Sequence, residues 1–340
     1  QKTAYEIRNC DWSSDVCSSD LVFIMNTFNM NAFTRRCPMR DHGLPLPHAA
    51  GEVRLSPVKI LWNGSLLLSL AVAPFFWDTR AVIFSAIAAA FILCVGHSVG
   101  FHRGVIHRAF AMGRTTERVF AWLAILAGIG GPIGMLRMHN TRDGHQNRPE
   151  APDYYTFAHP AWRDATWYLF HDHTGTPGPI DATKAADPWF RFLEATWRLH
   201  HAVLALLLYA VGGLPWLVWG AGVRTAVCVL GHWYVNYAAH TRGYRRWRMP
   251  GSGEEGRNHL LWGMLAMGEG WHNNHHAWPD SARFSVGWWE IDPGWVAVRI
   301  LAALGLVWDV KTWEDGATLR ATAIPQPMDL LGAFAEQRAR

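Results

Sequence analysis

Two long apolar runs, from about Ile60 to Trp77 (ILWNGSLLLSLAVAPFFW) and from Ala81 to Gly100, are parted only by Asp78-Thr79-Arg80. Each approaches the ~20 residues a helix needs to cross a hydrocarbon core, so the pair predicts a transmembrane hairpin. Val119 to Leu136 (VFAWLAILAGIGGPIGML) is also apolar, but its Gly-Gly-Pro centre makes it a poor span, and it is expected in the interface or against the protein. Residues 137–198 are polar and rich in His, Arg, Asp and Pro, as a water-facing segment is. A second apolar pair, from about Leu199 to Gly212 and from Leu214 to Ala239, breaks at Gly212-Gly213-Leu214-Pro215 and predicts a second hairpin. Beyond residue 241 the chain is polar and Trp-rich again. The pattern is that of an all-α membrane protein with four transmembrane helices in two hairpins.

Composition agrees. Half of the 340 residues are hydrophobic, only 17% are charged, and there are 20 Trp, a residue suited to the boundary between headgroups and acyl chains. The formal charge of +4 is small and dispersed, with no basic run interleaved with aromatics, so nucleic acid is set aside as a partner. None of the five cysteines forms a C-x-x-C pair, and no disulfide framework is expected. Residues 1–21 (QKTAYEIRNCDWSSDVCSSDL) resemble translated sequencing-adapter text, which would make Met25 or Met30 the start; 22–57 read as an N-terminal tail and 314–340 as a C-terminal one. Arginine sets the orientation. Arg103, Arg108, Arg114 and Arg118 follow the second run and Arg242, Arg245, Arg246 and Arg248 follow the fourth, while the turns between paired runs carry only Arg80. By the positive-inside rule both hairpins dip from the cytoplasmic side.

The chemistry lies in the 18 histidines. His272, His275 and His276 stand in GEGWHNNHHAWP, where helical spacings of three and four put the imidazoles on one face, able to converge on one or two ions. Imidazole suits iron, zinc, copper and nickel alike, so the box indicates a metal site without naming the metal; the bland alternative is surface His with Asn for solubility. After the second run comes GHSVGFHRGVIHR, in which His102 and His107 are candidate ligands and His97 is expected as a polar group at the span's end. WYVNYAAH places Asn236 and His240 on one helical face at the end of the fourth run, where a polar pair is costly unless satisfied; the alternative is an interhelical hydrogen bond. All three places lie at or just beyond the cytoplasmic ends of runs.

The succession H-R-x-x-x-H-R after a span, N-x-x-x-H at the end of a later one, and G-E-G-W-H-N-N-H-H near the last third resembles the membrane fatty acid desaturases, in particular the acyl-CoA Δ9 (stearoyl-CoA) desaturases and their bacterial relatives, over roughly residues 58–313. That resemblance implies four transmembrane helices under a cytoplasmic helical cap, and two non-haem irons. It makes His102, His107, His139, His240, His272, His275 and His276 ligands and gives Asn236 a metal-bound water. It further implies O2-dependent desaturation of a long saturated acyl-CoA or acyl lipid in contact with membrane lipid, with electrons from a separate ferredoxin or cytochrome and its reductase. A bacterial cytoplasmic membrane, with the site facing the cytoplasm, is the expected location. The middle box departs from H-x-x-H-H: it reads His139-Asn140-Thr141-Arg142-Asp143-Gly144-His145-Gln146. A guanidinium offers no lone pair, so Arg142 cannot ligate, whereas Asp143 can and is kept as a candidate ligand. Either the ligand set is altered or one metal position is weakened. Competing readings are a membrane di-iron hydroxylase or alkane-type monooxygenase, and a non-enzymatic membrane metal-binding protein.

Overall fold

The computed structural model describes residues 53–145, 154, 157, 159–173, 178–250 and 256–338. The expectations for residues 1–21, and for 22–57 up to residue 52, lie outside them. Helix α1 (Pro57–Val72) starts where Ser56 accepts from the amide of Lys59 and Pro57 presets the first turn. A short 3-10 turn, Ala73–Phe76, ends it. The Asp78 carboxylate caps α2 (Thr79–Phe91), accepting from the Ala81 amide at 2.8 Å. That helix runs on into a wide π-helical stretch, Ile92–Ile106. Then follow α3 (Arg114–Ile125), α4 (Pro132–His145), α5 (Ala161–Phe170), α6 (Ala182–Ala186) and α7 (Pro188–Trp216). A π turn at Leu217–Val223 leads into α8 (Arg224–Thr241). The last third carries α9 (Leu260–Leu265), α10 (His272–Ala277), α11 (Pro293–Ala303) and α12 (Leu330–Arg338).

Among the described residues, three helical runs are long and apolar enough to cross a membrane: Pro57–Phe76, Thr79–Ile106 and Pro188–Thr241. The third has 54 residues; a straight helix of that length would measure ~80 Å, far beyond a hydrocarbon core of ~30 Å. It breaks where the sequence breaks, at Gly212 and at Gly213, whose φ of 68° favours glycine. Beyond the break the chain turns back: Leu208 Cδ1 lies 3.1 Å from where a Cβ on Gly220 would sit, although twelve residues of straight helix would part them by ~18 Å. Leu61, Leu68 and Phe75 on the first run, Ile83 and Ile87 on the second and Leu199, Val203 and Leu206 on the third are exposed, as an apolar skin in contact with lipid would be.

The stretch 119–136, expected at the interface or against the protein, is α3, a turn and the start of α4, with Phe120, Ala121, Ala124 and Ile125 buried. Its close approach to the π-helical stretch depends on glycine: a Cβ on Gly100 would run into the ring of Phe120. Among the described residues, three antiparallel two-stranded ribbons tie loops together, β1 (Val53–Leu55) with β3 (His171–His173), β2 (Ala111–Met112) with β5 (Val307–Trp308), and β4 (Trp247–Arg248) with β6 (Ile324–Pro325). The stretch expected as a C-terminal tail packs on the protein: Ala333 is buried, and Glu336 and Gln337 accept from the amides of Arg245 and Leu260.

Candidate metal centre

Among the described residues, seven histidines gather into two groups. His102, His107, His139 and His275 form one, His240, His272 and His276 the other, and within each the potential ligand atoms lie within 4.8 Å of one another. They come from four elements: the end of the π-helical stretch, α4, α8 and α10. The π geometry accounts for the five-residue spacing of His102 and His107. Residues five apart diverge on an α-helix, but i→i+5 hydrogen bonds bring them nearly above one another. The amide of His107 bonds the carbonyl of His102 at 3.1 Å, and their Nε2 atoms stand 3.2 Å apart. His97, one such step earlier, stacks loosely on His102 and belongs to neither group.

Helix α10 has six residues, too few to stand alone, and its two asparagines fix it from inside the protein. The Asn258 side chain accepts from the amides of Asn273 and Asn274 at 3.0 and 3.2 Å, satisfying the helix's free N–H groups. Asn274 donates to the Phe284 carbonyl and to Glu290, and Asn273 accepts from the amides of Arg246 and Trp247. Both asparagines are buried, as are His275 and His276, which excludes a solubilising surface box.

The donor set fits metal ions. Nε2 of His107 lies 3.1 Å from Nε2 of His139, and Nε2 of His276 lies 2.9 Å from Nε2 of His272. Imidazole nitrogens at ~2.0–2.1 Å from one ion and at right angles are separated by about 3 Å. Other nitrogens are anchored away from the centre, which fixes the ring orientation. His102 Nδ1 meets Glu269 Oε2 at 2.7 Å, with Ser98 donating to the other oxygen at 2.5 Å. His240 donates from Nδ1 to the Asn236 carbonyl at 2.6 Å, leaving its buried Nε2 without a protein partner. Burial, first, and then the surrounding imidazoles hold His107, His275 and His276 well below the ordinary value of 6.5, and burial and His240 do the same to His272. At neutral pH these four rings are therefore uncharged and keep a lone pair for an ion.

Two expected site residues stand apart from both groups. Asp143, one helical turn beyond His139, sets its carboxylate 3.5 Å from His139 Nδ1, behind the ring instead of beside the candidate ion position. Asn236, with its amide oriented to satisfy both of its ends, accepts two bonds from the Arg142 guanidinium at 2.8 and 2.9 Å. The side chain of His145 lies outside the described residues. Glu269 was visible in the GEGWH motif, but nothing in the motif showed that it would reach His102. Phe157, whose ring stacks on His240 at 4.5 Å and 3°, gave no signal in the sequence.

Both groups line one cavity of about 270 Å³ whose other walls are largely apolar, among them Leu93, Ile129, Met135, Val227 and Leu265. His97 and His232 add imidazoles to that wall, with His232 bonded to the Tyr168 hydroxyl at 3.0 Å. A second cavity of about 380 Å³ shares Ile129, Met138 and Arg142 with the first and carries Lys59, Arg137 and Arg198.

Residues 78–309 match the family described as fatty acid desaturase. Among curated proteins, the chain is 36% identical over 264 residues to palmitoyl-monogalactosyldiacylglycerol delta-7 desaturase, chloroplastic, of Arabidopsis thaliana, covering 75% of this chain and 68% of that protein. It is 34% identical over 258 residues to acyl-CoA C20 Delta5-desaturase of Anemone leveillei, with 74% and 80% covered. To delta-9 desaturase-like 3 protein of Arabidopsis thaliana it is 32% identical over 267 residues, with 77% and 87% covered.

Proposed function

The chain belongs to the fatty acid desaturase family, and from that premise we propose that it is a membrane di-iron enzyme that introduces one double bond into a long saturated acyl chain. Desaturation of fatty acyl groups, an oxidoreductase reaction, follows from membership; the irons, the ligand assignments and the substrate form are the proposal. The observation that carries it is the placing of both histidine groups on the wall of one apolar cavity.

The overall reaction takes –CH2–CH2– with O2, two electrons and two protons to –CH=CH– and two waters. His102, His107, His139 and His275 would hold one iron and His240, His272 and His276 the other. When bound, the irons supply the activation of O2 needed to oxidise an unactivated methylene, because no side chain can do so alone. The protein's part is positional. The apolar wall takes the acyl chain and excludes water, and Glu269 and Asp143 orient imidazoles from behind. Neutral rings leave lone pairs free for metal. The two electrons would come from a separate ferredoxin or cytochrome with its reductase.

Where the double bond goes is left open by relatives named for delta-7, Delta5 and delta-9 activity. The thioester reading is favoured by Lys59, Arg137, Arg142 and Arg198 in the second cavity, which suit the phosphates of a coenzyme A carrier; an anionic lipid headgroup is the other fit. The arginines after the second and fourth runs support a two-hairpin, four-span arrangement with the site on the cytoplasmic side, and a bacterial inner membrane rests on the sequence resemblance alone, the relatives above being plant proteins.

The test uses the full chain purified in mild detergent, with reductant, O2, a ferredoxin and reductase, and either stearoyl-CoA or a distearoyl lipid. A product lighter by two hydrogens, together with bound iron that falls in His275→Ala, is expected. A product heavier by one oxygen would favour the hydroxylase, and a protein that binds no iron would sink the di-iron reading.

A further inference from the structure

The two histidine groups are built unequally, and one of the differences lies at a single residue. Helix α4 gives His139 to the four-imidazole group; one turn further along, where the H-x-x-H-H pattern of the resembled family has a second histidine, it presents Arg142 instead. Arg142 lines the cavity that both groups share. Its guanidinium nitrogens bond the Asn236 amide oxygen at 2.8 and 2.9 Å, and Asn236 is the residue whose backbone carbonyl takes the His240 Nδ1 proton at 2.6 Å. Its Cζ lies 5.6 Å from the ring of Phe157, the ring that stacks on His240. Arg142 thus touches both neighbours of His240 without being able to ligate.

Three consequences point the same way. Among the described residues, the group of His240, His272 and His276 offers three nitrogens against four. A permanent positive charge stands near it, and among the described residues no carboxylate pairs with that charge. The four-imidazole group is also backed by two carboxylates, Glu269 behind His102 and Asp143 behind His139, whereas His240 is backed by a neutral carbonyl. Anionic partners behind an imidazole raise its basicity as a ligand, and a nearby cation opposes a divalent ion.

We propose that the two groups are metal sites of different affinity that fill in order, the four-imidazole group first and the three-imidazole group second, and that Arg142 sets the gap between them. This rests on the di-iron reading above but concerns loading, which can be read without turnover.

The experiment titrates the full chain, stripped of metal in detergent, with Co2+ alone as the probe, following calorimetry and visible absorption. Two steps are expected, with dissociation constants apart by at least ~10–100-fold, the range that changes around first ligands produce. His275→Ala should remove the tight step and His276→Ala the weak one. Arg142→Gln, which can still donate to Asn236 but carries no charge, should tighten the weak step by ~10-fold and leave the tight step unchanged. Arg142→Lys, checked for fold by circular dichroism like the others, should preserve the gap. Two equivalents bound in one step, or a gap indifferent to Arg142→Gln, would overturn the proposal while leaving a two-metal enzyme intact. Failure to bind Co2+ at all would overturn both.

Discussion

Behind each anchored imidazole stands a group that decides how well the ring can serve as a ligand. Asp143 sits 3.5 Å from His139 Nδ1 and Glu269 2.7 Å from His102 Nδ1, so each acts through a histidine. Asp143→Ala is therefore expected to weaken the tight metal by ~10-fold without abolishing binding, whereas His139→Ala should abolish the tight step; equilibrium dialysis distinguishes the two, and complete loss in Asp143→Ala would make the carboxylate a ligand. The asparagines of α10 carry a second expectation. Asn274→Leu strips Phe284 O and Glu290 of a donor inside the protein and leaves the Asn258 amide without its acceptor, which should cost about 1–3 kcal/mol, read as a lower melting temperature. At this scale His102, His107, His240, His272, His275 and His276 were legible, because chain position and motif spacing marked them, and His139 came from the family resemblance. The pairings Arg142–Asn236, Glu269–His102 and Phe157–His240 were not, because each joins segments far apart in sequence whose approach depends on packing.

Among the elements, the π-helical stretch after α2 does most to shape the centre. Helical periodicity read at 3.6 residues per turn would send His102 and His107 to different sides, and no local propensity announces the wider turn. Its seam with α3 is where it can be tested. Gly100→Ala drives a methyl group into the Cβ and ring of Phe120, which cannot swing aside because Phe120 is itself buried. A loss of about 1–3 kcal/mol is expected, with metal content reduced in parallel since the same stretch aims two ligands. A Gly100→Ala protein that melts like the native one would show that the seam is loose. The spans themselves were easier to foresee than this stretch, since length, apolarity and the Gly212-Gly213 break are all written in one dimension; α7 begins ahead of its apolar run, at Pro188, where Phe190, Leu193 and Trp197 are buried.

For the molecule as a whole, acid is the condition that sets the centre against the fold. His107, His272, His275 and His276 are held well below the ordinary value of 6.5, chiefly by burial. Their folded values lie under the unfolded one, so an unfolded chain takes up protons that the folded chain refuses. The metal-free protein is thus expected to keep full stability above about pH 6.5 and to lose it progressively as pH falls below that value. Metal release should follow the same direction. Melting curves from pH 8 to pH 5 check this, and a flat profile would mean that the rings are charged or exposed. The first ribbon bears on a different matter, the choice of where a shortened chain can begin. Val53, Arg54 and Leu55 pair with His173, Asp172 and His171, and the Ser56 amide bonds the Phe170 carbonyl at 2.9 Å. A version trimmed to Pro57 would leave His171–His173 as a bare strand edge beside the cationic cavity, and such edges recruit one another. In a truncation screen, clumping should set in between residues 53 and 57, well before any transmembrane helix is cut.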